Sequence, residues 1–155
     1  MARRRPARPA HRPAATDRPD PDRSDPGRAA PAACPCGTAR YADCCGRFHR
    51  AEAVPATAEE LMRSRYAAFA LADTGYLLRT WHPDTRPAHL DLSGAPRWTG
   101  LEILATSGGS AFHREGTVTF RAHHRGAGGA PGTQQERSRF VRVDGAWRYL
   151  DGAVD

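Results

Sequence analysis
An α+β domain, with an antiparallel sheet wrapped around its helices, is predicted by three observations. Thr57-Ala58-Glu59-Glu60 has the form of a capping box and opens a segment with apolar residues at helical spacing. From Trp98 onward the apolar period changes from that of a helix to that of a strand. Asp144-Gly145, set between Val143 and Ala146, is a two-residue hairpin signal that joins strands antiparallel. Helices followed by hairpin-linked strands specify α+β.

Residues 1 to 33 precede all of this and contain, after Met1, only Ala, Arg, Pro, His, Thr, Asp, Ser and Gly. With no large apolar side chain to bury, the segment cannot offset its ordering entropy, and a disordered Arg/Pro-rich tail is expected. The tail also explains most of the charge. It holds eight Arg and four Asp, a net +4 of the chain's +6, so residues 34 to 155 are nearly neutral. All 23 basic residues are Arg, and Asn is absent. A GC-biased genome produces that composition without selection for arginine chemistry. The balance argues against nucleic-acid binding, although Arg3, Arg4 and Arg5 remain a basic tip that could touch phosphate. No apolar run approaches the roughly 18 residues of a membrane span, and a cytoplasmic protein is expected.

All four cysteines fall between Cys34 and Cys45, as Cys34-Pro35-Cys36 and then Cys44-Cys45. In a reducing compartment clustered thiols point to metal or redox chemistry, and four thiolates match the tetrahedral preference of zinc. The competing readings are a vicinal disulfide at Cys44 and Cys45 or a redox thiol pair. His49, four residues after Cys45, competes for the fourth ligand position. Four protein ligands with no open position make any zinc structural.

After Thr57, residues Met62, Tyr66, Phe69 and Ala70 form a core-facing helical stripe with Leu61 beside it, until Asp73-Thr74-Gly75 interrupts. Arg63 and Arg65 lie about 200° apart on that helix. One reading takes an arginine into the interior to pair with a carboxylate; the other leaves both at the rim. A second helix over Tyr76 to Thr80 ends before Pro83. Strands are expected over Trp98 to Thr106, Thr117 to His124, Gln134 to Val143 and Ala146 to Asp151. Period two puts Val118, Phe120 and Ala122 on one face, Glu136, Ser138 and Phe140 on one face, and Trp147, Tyr149 and Asp151 on one face. If the Phe140 face is inward, Glu136 is an inward-pointing charge.

CPCG followed by a tyrosine and CC resembles the SEC-C zinc motif, which implies Cys34, Cys36, Cys44 and Cys45 as ligands. Gly37 to Asp43 is one residue shorter than the usual motif, and Gly37-Thr38-Ala39 stands for its Gly-Ser-Gly. MRSRYAAF from Met62, TWHP from Thr80, ERSRF from Glu136 and WRYLDG from Trp147 extend the likeness to the YchJ-like family of uncharacterised bacterial proteins. That resemblance implies a nuclear transport factor 2-like cone, a curved sheet and helices around a pocket, over residues 55 to 155. The zinc motif of residues 34 to 49 precedes it, and the cone is expected to fold without that motif.

The resemblance implies no known activity, and two functions remain. One is a zinc-stapled binding or adaptor module, not an enzyme, with a protein partner at the zinc motif. The other is a small-molecule binder, or an enzyme of the isomerase or dehydratase type, using the cone. Its candidate pocket residues are Arg63, Tyr66, Trp81, His82, Glu136, Arg139 and Asp151. The bland alternative is that Trp81 and Trp147 are core aromatics, His82 caps a helix end, and an Arg-Glu pair closes the interior.

Overall fold
The computed structural model describes residues 29–155, so the expected tail lies almost wholly outside the described residues. After a 3₁₀ turn at Tyr41–Asp43 come helices α1 (Cys45–His49), α2 (Ala58–Leu71) and α3 (Thr74–Arg79). Strands β1 (Arg97–Gly108), β2 (Glu115–Arg125), β3 (Pro131–Val143) and β4 (Ala146–Val154) then form one antiparallel sheet in the order β1-β2-β3-β4. The architecture is α+β, as expected.

The capping box at the start of α2 forms in a shifted version. Thr57 Oγ1 accepts from Glu60 N at 3.1 Å, while the Glu60 carboxylate reaches back to Ala56 N at 2.7 Å, one residue before the cap. The helix stops at Ala72, which adopts a left-handed conformation at φ 58°, and Asp73 is then free to cap α3 by accepting from Tyr76 N at 2.9 Å. The second helix therefore starts two residues before Tyr76. The buried face of α2 is also wider than the expected stripe, taking in Ala58, Leu61, Ser64, Arg65, Ala67 and Ala68. Phe69 and Ala70 are only partly covered.

In the sheet, Asp144 and Gly145 both have positive φ, 50° and 80°, as a tight hairpin of the primed type requires. Register shifts at Trp98/Gly100 and Ile103/Ala105 insert extra residues into β1, and such bulges bend a sheet. The inner face carries Val118, Phe120, Ala122, Ser138, Phe140 and Trp147, all buried. Two ties fix α2 against it: Ala58 N donates to Gly109 O at 2.8 Å, and Trp147 Nε1 donates to Ala56 O at 3.0 Å.

One face assignment is corrected. Asp151 does not share the face of Tyr149. Phe140 pairs with Tyr149 but Arg139 pairs with Asp151, so Leu150 is an extra residue in β4. The bulge turns Asp151 to the outer face, where it meets Arg139. Strict alternation fails after any such insertion.

The cysteine segment is also more deeply integrated than expected. Cys34, Cys36, Tyr41 and Cys45 are buried in the same cluster as Leu61, Met62, Tyr66, Phe140 and Trp147, and Phe48 packs with Ala68, Tyr76 and Leu77. Ala33 bridges Arg40 and Tyr41 N donates to Ala32 O, closing the loop. The segment forms one wall of the helical core. No helix among the described residues is long and apolar enough to cross a membrane.

Candidate functional site
Two constellations carry chemistry. The first is the cysteine knuckle. Gly37, at φ 85°, turns the chain so that its N–H donates to Cys34 O, and Cys34 N donates to Ala39 O. The shortened loop closes in this way, and one sulfur from each of Cys34, Cys36, Cys44 and Cys45 lies within 4.8 Å of all the others. Cys36 and Cys44 Sγ are 3.5 Å apart, and Cys44 and Cys45 Sγ 3.9 Å. A tetrahedral ion with sulfur at about 2.3 Å sets sulfurs about 3.8 Å apart. The geometry therefore suits a metal, and the four thiols are free rather than disulfide-bonded. Thr38 Oγ1 touches Cys36 Sγ at 3.2 Å and Cys44 Sγ at 3.1 Å.

Electrostatics agree with that geometry. Without a cation the buried thiols perturb one another in opposite directions. Hydrogen bonds from Cys34 first, then Cys45, hold Cys36 far below the ordinary thiol range. The same bonding with Cys36 pushes Cys34 up to about 11, and hydrogen bonding to Cys34 and Cys36 together with burial pushes Cys45 up as well. Four thiolates in one loop need a positive ion among them.

His49 is not part of that set. Its Nε2 faces Ser64 O at 2.8 Å and so carries the proton, which leaves Nδ1 to accept from the Tyr41 hydroxyl at 2.7 Å. Both ring nitrogens are spent clasping the knuckle to α2. Burial is the main cause that holds its pKa below the usual histidine value.

The second constellation is a cavity of about 150 Å³ between α2 and the sheet. Of the residues expected there, Tyr66, Trp81 and Glu136 line it. The other four do not. Arg63 lies on the outer side of α2, bonded to Glu59 at 2.9 Å and to Cys36 O. His82 donates its backbone N–H to Tyr149 O, and its Nδ1 accepts from Asp84 N, outside the cavity. Arg139 and Asp151 form their ion pair, at 2.7 Å, on the outer face of the sheet.

The arginine inside is Arg65, only 3% exposed. Its Nη1 donates to Leu77 O at 2.8 Å and Thr80 Oγ1 at 2.7 Å, and the guanidinium stacks over the rings of Tyr149 and Trp81. Carbonyl, hydroxyl and aromatic partners thus take the place of the expected carboxylate. Burial lowers its pKa to about 10, which still leaves it protonated at neutral pH. A helical signal pointed to this residue: Arg65 is four positions after the buried Leu61, whereas Arg63 is four after Glu59 and is drawn to the rim. Trp98, Gln134 and Ser138 also line the cavity and were not anticipated. The place of Trp98 depends on the bulge beside it, for which the sequence has no signal.

Glu136 does point inward, and hydroxyls satisfy it. Its Oε1 accepts from Ser138 Oγ at 2.7 Å and from the Tyr149 hydroxyl at 3.3 Å. Gly152 leaves room for this carboxylate, since a Cβ there would overlap it.

Comparison with known proteins bears on the fold and on the cysteine motif. The family model described as YchJ, middle NTF2-like domain, matches residues 57–152. A UPF0225 protein of Streptomyces coelicolor is 64% identical over 120 residues, covering 77% of this chain and 93% of that protein. A UPF0225 protein of Deinococcus radiodurans is 52% identical over 121 residues, covering 77% of this chain and 88% of its own. The solution structure of a SEC-C motif containing protein from Rhodopseudomonas palustris matches with a TM-score of 0.69 at 35% identity, over 77% of this chain and 96% of that one. A SEC-C motif containing protein from Psychrobacter arcticus matches with a TM-score of 0.62 at 30% identity, over 79% and 82%. The cysteine knuckle on an α+β cone, the matched family model and these relatives together place the chain in the YchJ-like UPF0225 family.

Proposed function
We propose that the protein is a zinc-stapled, non-catalytic binding module whose binding seat is the cone cavity. The observation that carries this is the direction of the two constellations. The sulfurs of the knuckle converge inward on one another and pack against α2, which suits a closed structural zinc. The cavity instead has partly exposed residues at its rim, Phe69, Trp81 and Gln134, and an aromatic interior able to hold a small molecule. Support for binding over isomerase or dehydratase chemistry comes from separation of the groups. Glu136 is held as an acceptor by Ser138 and Tyr149, His82 is engaged outside the cavity, and His124, whose ring meets Trp98 edge-on, does not line it. Free thiols suit a reducing compartment such as the cytoplasm.

The test is native mass spectrometry of freshly purified protein with metal analysis. One zinc per chain, together with a retained small mass that Trp81→Ala releases, is the expected result. Stoichiometric binding of another metal, or a folded metal-free chain, would overturn the zinc. The same retained mass in wild type and Trp81→Ala would overturn the cavity.

A further inference from the structure
Resting on the reading of the cavity as a binding seat, the geometry points to its ligand class: a small organic carboxylate with a planar or apolar body, held by Arg65 and the Trp81 indole N–H. The first support is a buried cation without a direct ion pair. Arg65 is a buried cation, and no carboxylate among the described residues forms an ion pair with it. The closest claim on it comes from Glu136, across Tyr149, whose ring carries the guanidinium and whose hydroxyl goes to that carboxylate. A buried cation with no anion in direct contact is costly, and a docking carboxylate would supply the direct partner that Glu136, in the same cavity but across Tyr149, does not.

The second support is unspent donors. Of the guanidinium nitrogens only Nη1 is used by described partners, so Nε and Nη2 keep the paired N–H fork that suits a carboxylate. The Trp81 Nε1–H, on the ring that Arg65 stacks against, is buried with no partner. Trp98 Nε1, in the same cavity, is also without one, and its ring stands edge-on to His124 rather than against the guanidinium. Trp81 is the donor assigned to the ligand because its ring is the one that Arg65 stacks against. Buried polar groups normally find partners, and an unpartnered donor beside a cation with unspent nitrogens in a cavity marks where the ligand's oxygens go.

Size and shape set the remainder. The cavity of about 150 Å³ is comparable to an engineered apolar cavity that accommodates benzene. Tyr66, Trp98 and Phe120 provide aromatic walls for the ligand's body. Benzoate is therefore a suitable probe, with benzamide as its neutral counterpart of equal shape.

The experiment is calorimetric titration of the intact, zinc-loaded protein with benzoate and benzamide, in parallel with ¹⁵N-edited spectra of the indole N–H signals. Benzoate is expected to bind at least about tenfold more tightly than benzamide, because the neutral amide leaves the cation without a direct ion pair. It should also shift the indole signal that Trp81→Phe deletes. Trp81→Phe keeps an aromatic ring but removes the N–H, and is expected to lower benzoate affinity severalfold and benzamide affinity less. Arg65→Met should abolish the preference, and the tryptophan variant keeps the test decisive if that protein does not fold. Equal affinity for the two probes would overturn the carboxylate assignment and leave the cavity a binding seat. Binding of neither probe would overturn both.

Discussion

The knuckle and the cavity both gather reactive side chains into a few ångströms, yet they differ in what is left over. In the knuckle nothing is. Each sulfur is directed at the others, Thr38 touches two of them, and His49 spends both ring nitrogens on Tyr41 and Ser64. In the cavity a guanidinium has unspent nitrogens, an indole N–H has no acceptor, and the walls are rings. A saturated set of polar groups stabilises a fold, whereas an unsaturated set in a hollow is stabilised further by a ligand. The difference separates staple from site more reliably than residue type does, because cysteines and a histidine would ordinarily attract the functional reading first.

The largest effect that would break this contrast is loss of the staple. Cys45 is 1% exposed and belongs to the main core cluster. Cys45→Ser is expected to lose the metal and to lower Tm by about 10 °C or more, since a metal that binds only the folded chain contributes directly to folding. Thermal unfolding followed by circular dichroism, with zinc content measured on the same sample, checks it. A variant that loses zinc and melts like wild type would make the knuckle an appendage after all.

His49 comes next. Replacing it with Ala leaves the Tyr41 hydroxyl and Ser64 O without their partner and opens a gap against Tyr76, at a cost of about 2–3 kcal/mol. His49 also gives the clasp a pH signature. Its folded pKa lies below the unfolded value, so the unfolded chain takes up a proton first on acidification. Stability is then full above about pH 6.5 and declines as pH falls below that toward the folded pKa. His49→Gln should flatten this decline relative to wild type at equal zinc content, as denaturant melts across pH 7.5 to 5 would show. Identical slopes would mean that the imidazole titrates freely and the clasp is loose.

These two predictions rest on features that differ in how far they could be read from the sequence. The four ligands were legible because Cys-x-Cys and Cys-Cys are local, and a local loop brings its own residues together whatever the fold around it. The start of α2 and the Asp144-Gly145 hairpin were legible for the same reason. Asp151 was misplaced because one bulged residue, Leu150, reverses every face after it, and the energy that selects a bulge lies in pairing across strands. The integration of the knuckle escaped notice because it depends on contacts between Tyr41 or His49 and residues of α2 and α3 well away in sequence. Arg65 was not singled out, since Arg63 was the arginine expected in the pocket; spacing from Leu61 turns Arg65 inward, but what it meets there depends on β4 and the Thr80–His82 segment, which bridges β4 through Trp81 and Tyr149.

Gly152 sharpens the cavity side of the contrast. It sits opposite Ser138 on the neighbouring strand, and a methyl group there would occupy the position of the Glu136 carboxylate. Gly152→Ala should therefore displace Glu136 from Ser138 and Tyr149 at a cost of about 1–2 kcal/mol. The loss should be recovered in part by Glu136→Ala in the same chain, because the overlap is then removed. A double-mutant cycle by urea denaturation measures the coupling. Additive effects would show that Glu136 moves away freely and is not held in the cavity.

The smallest effect tests the boundary of the site. Arg139 and Asp151 were both expected in the pocket and instead form an ion pair on the outer face, with 59% and 46% of their side chains exposed. An exposed pair in water gains little, because solvent already screens each charge and both side chains lose freedom in meeting. The Arg139→Ala variant is accordingly expected to keep the wild-type Tm and to bind any cavity ligand with unchanged affinity. Trp81→Phe, at the residue that bridges Tyr149 two positions before Asp151, should alter binding. A change in ligand affinity for Arg139→Ala would mean that the outer face communicates with the cavity through the β4 bulge, since Arg139 and Phe140 are adjacent on β3 and their partners on β4 are separated by Leu150 alone. An unchanged affinity confines recognition to the inner face and leaves Arg65 as its charged centre.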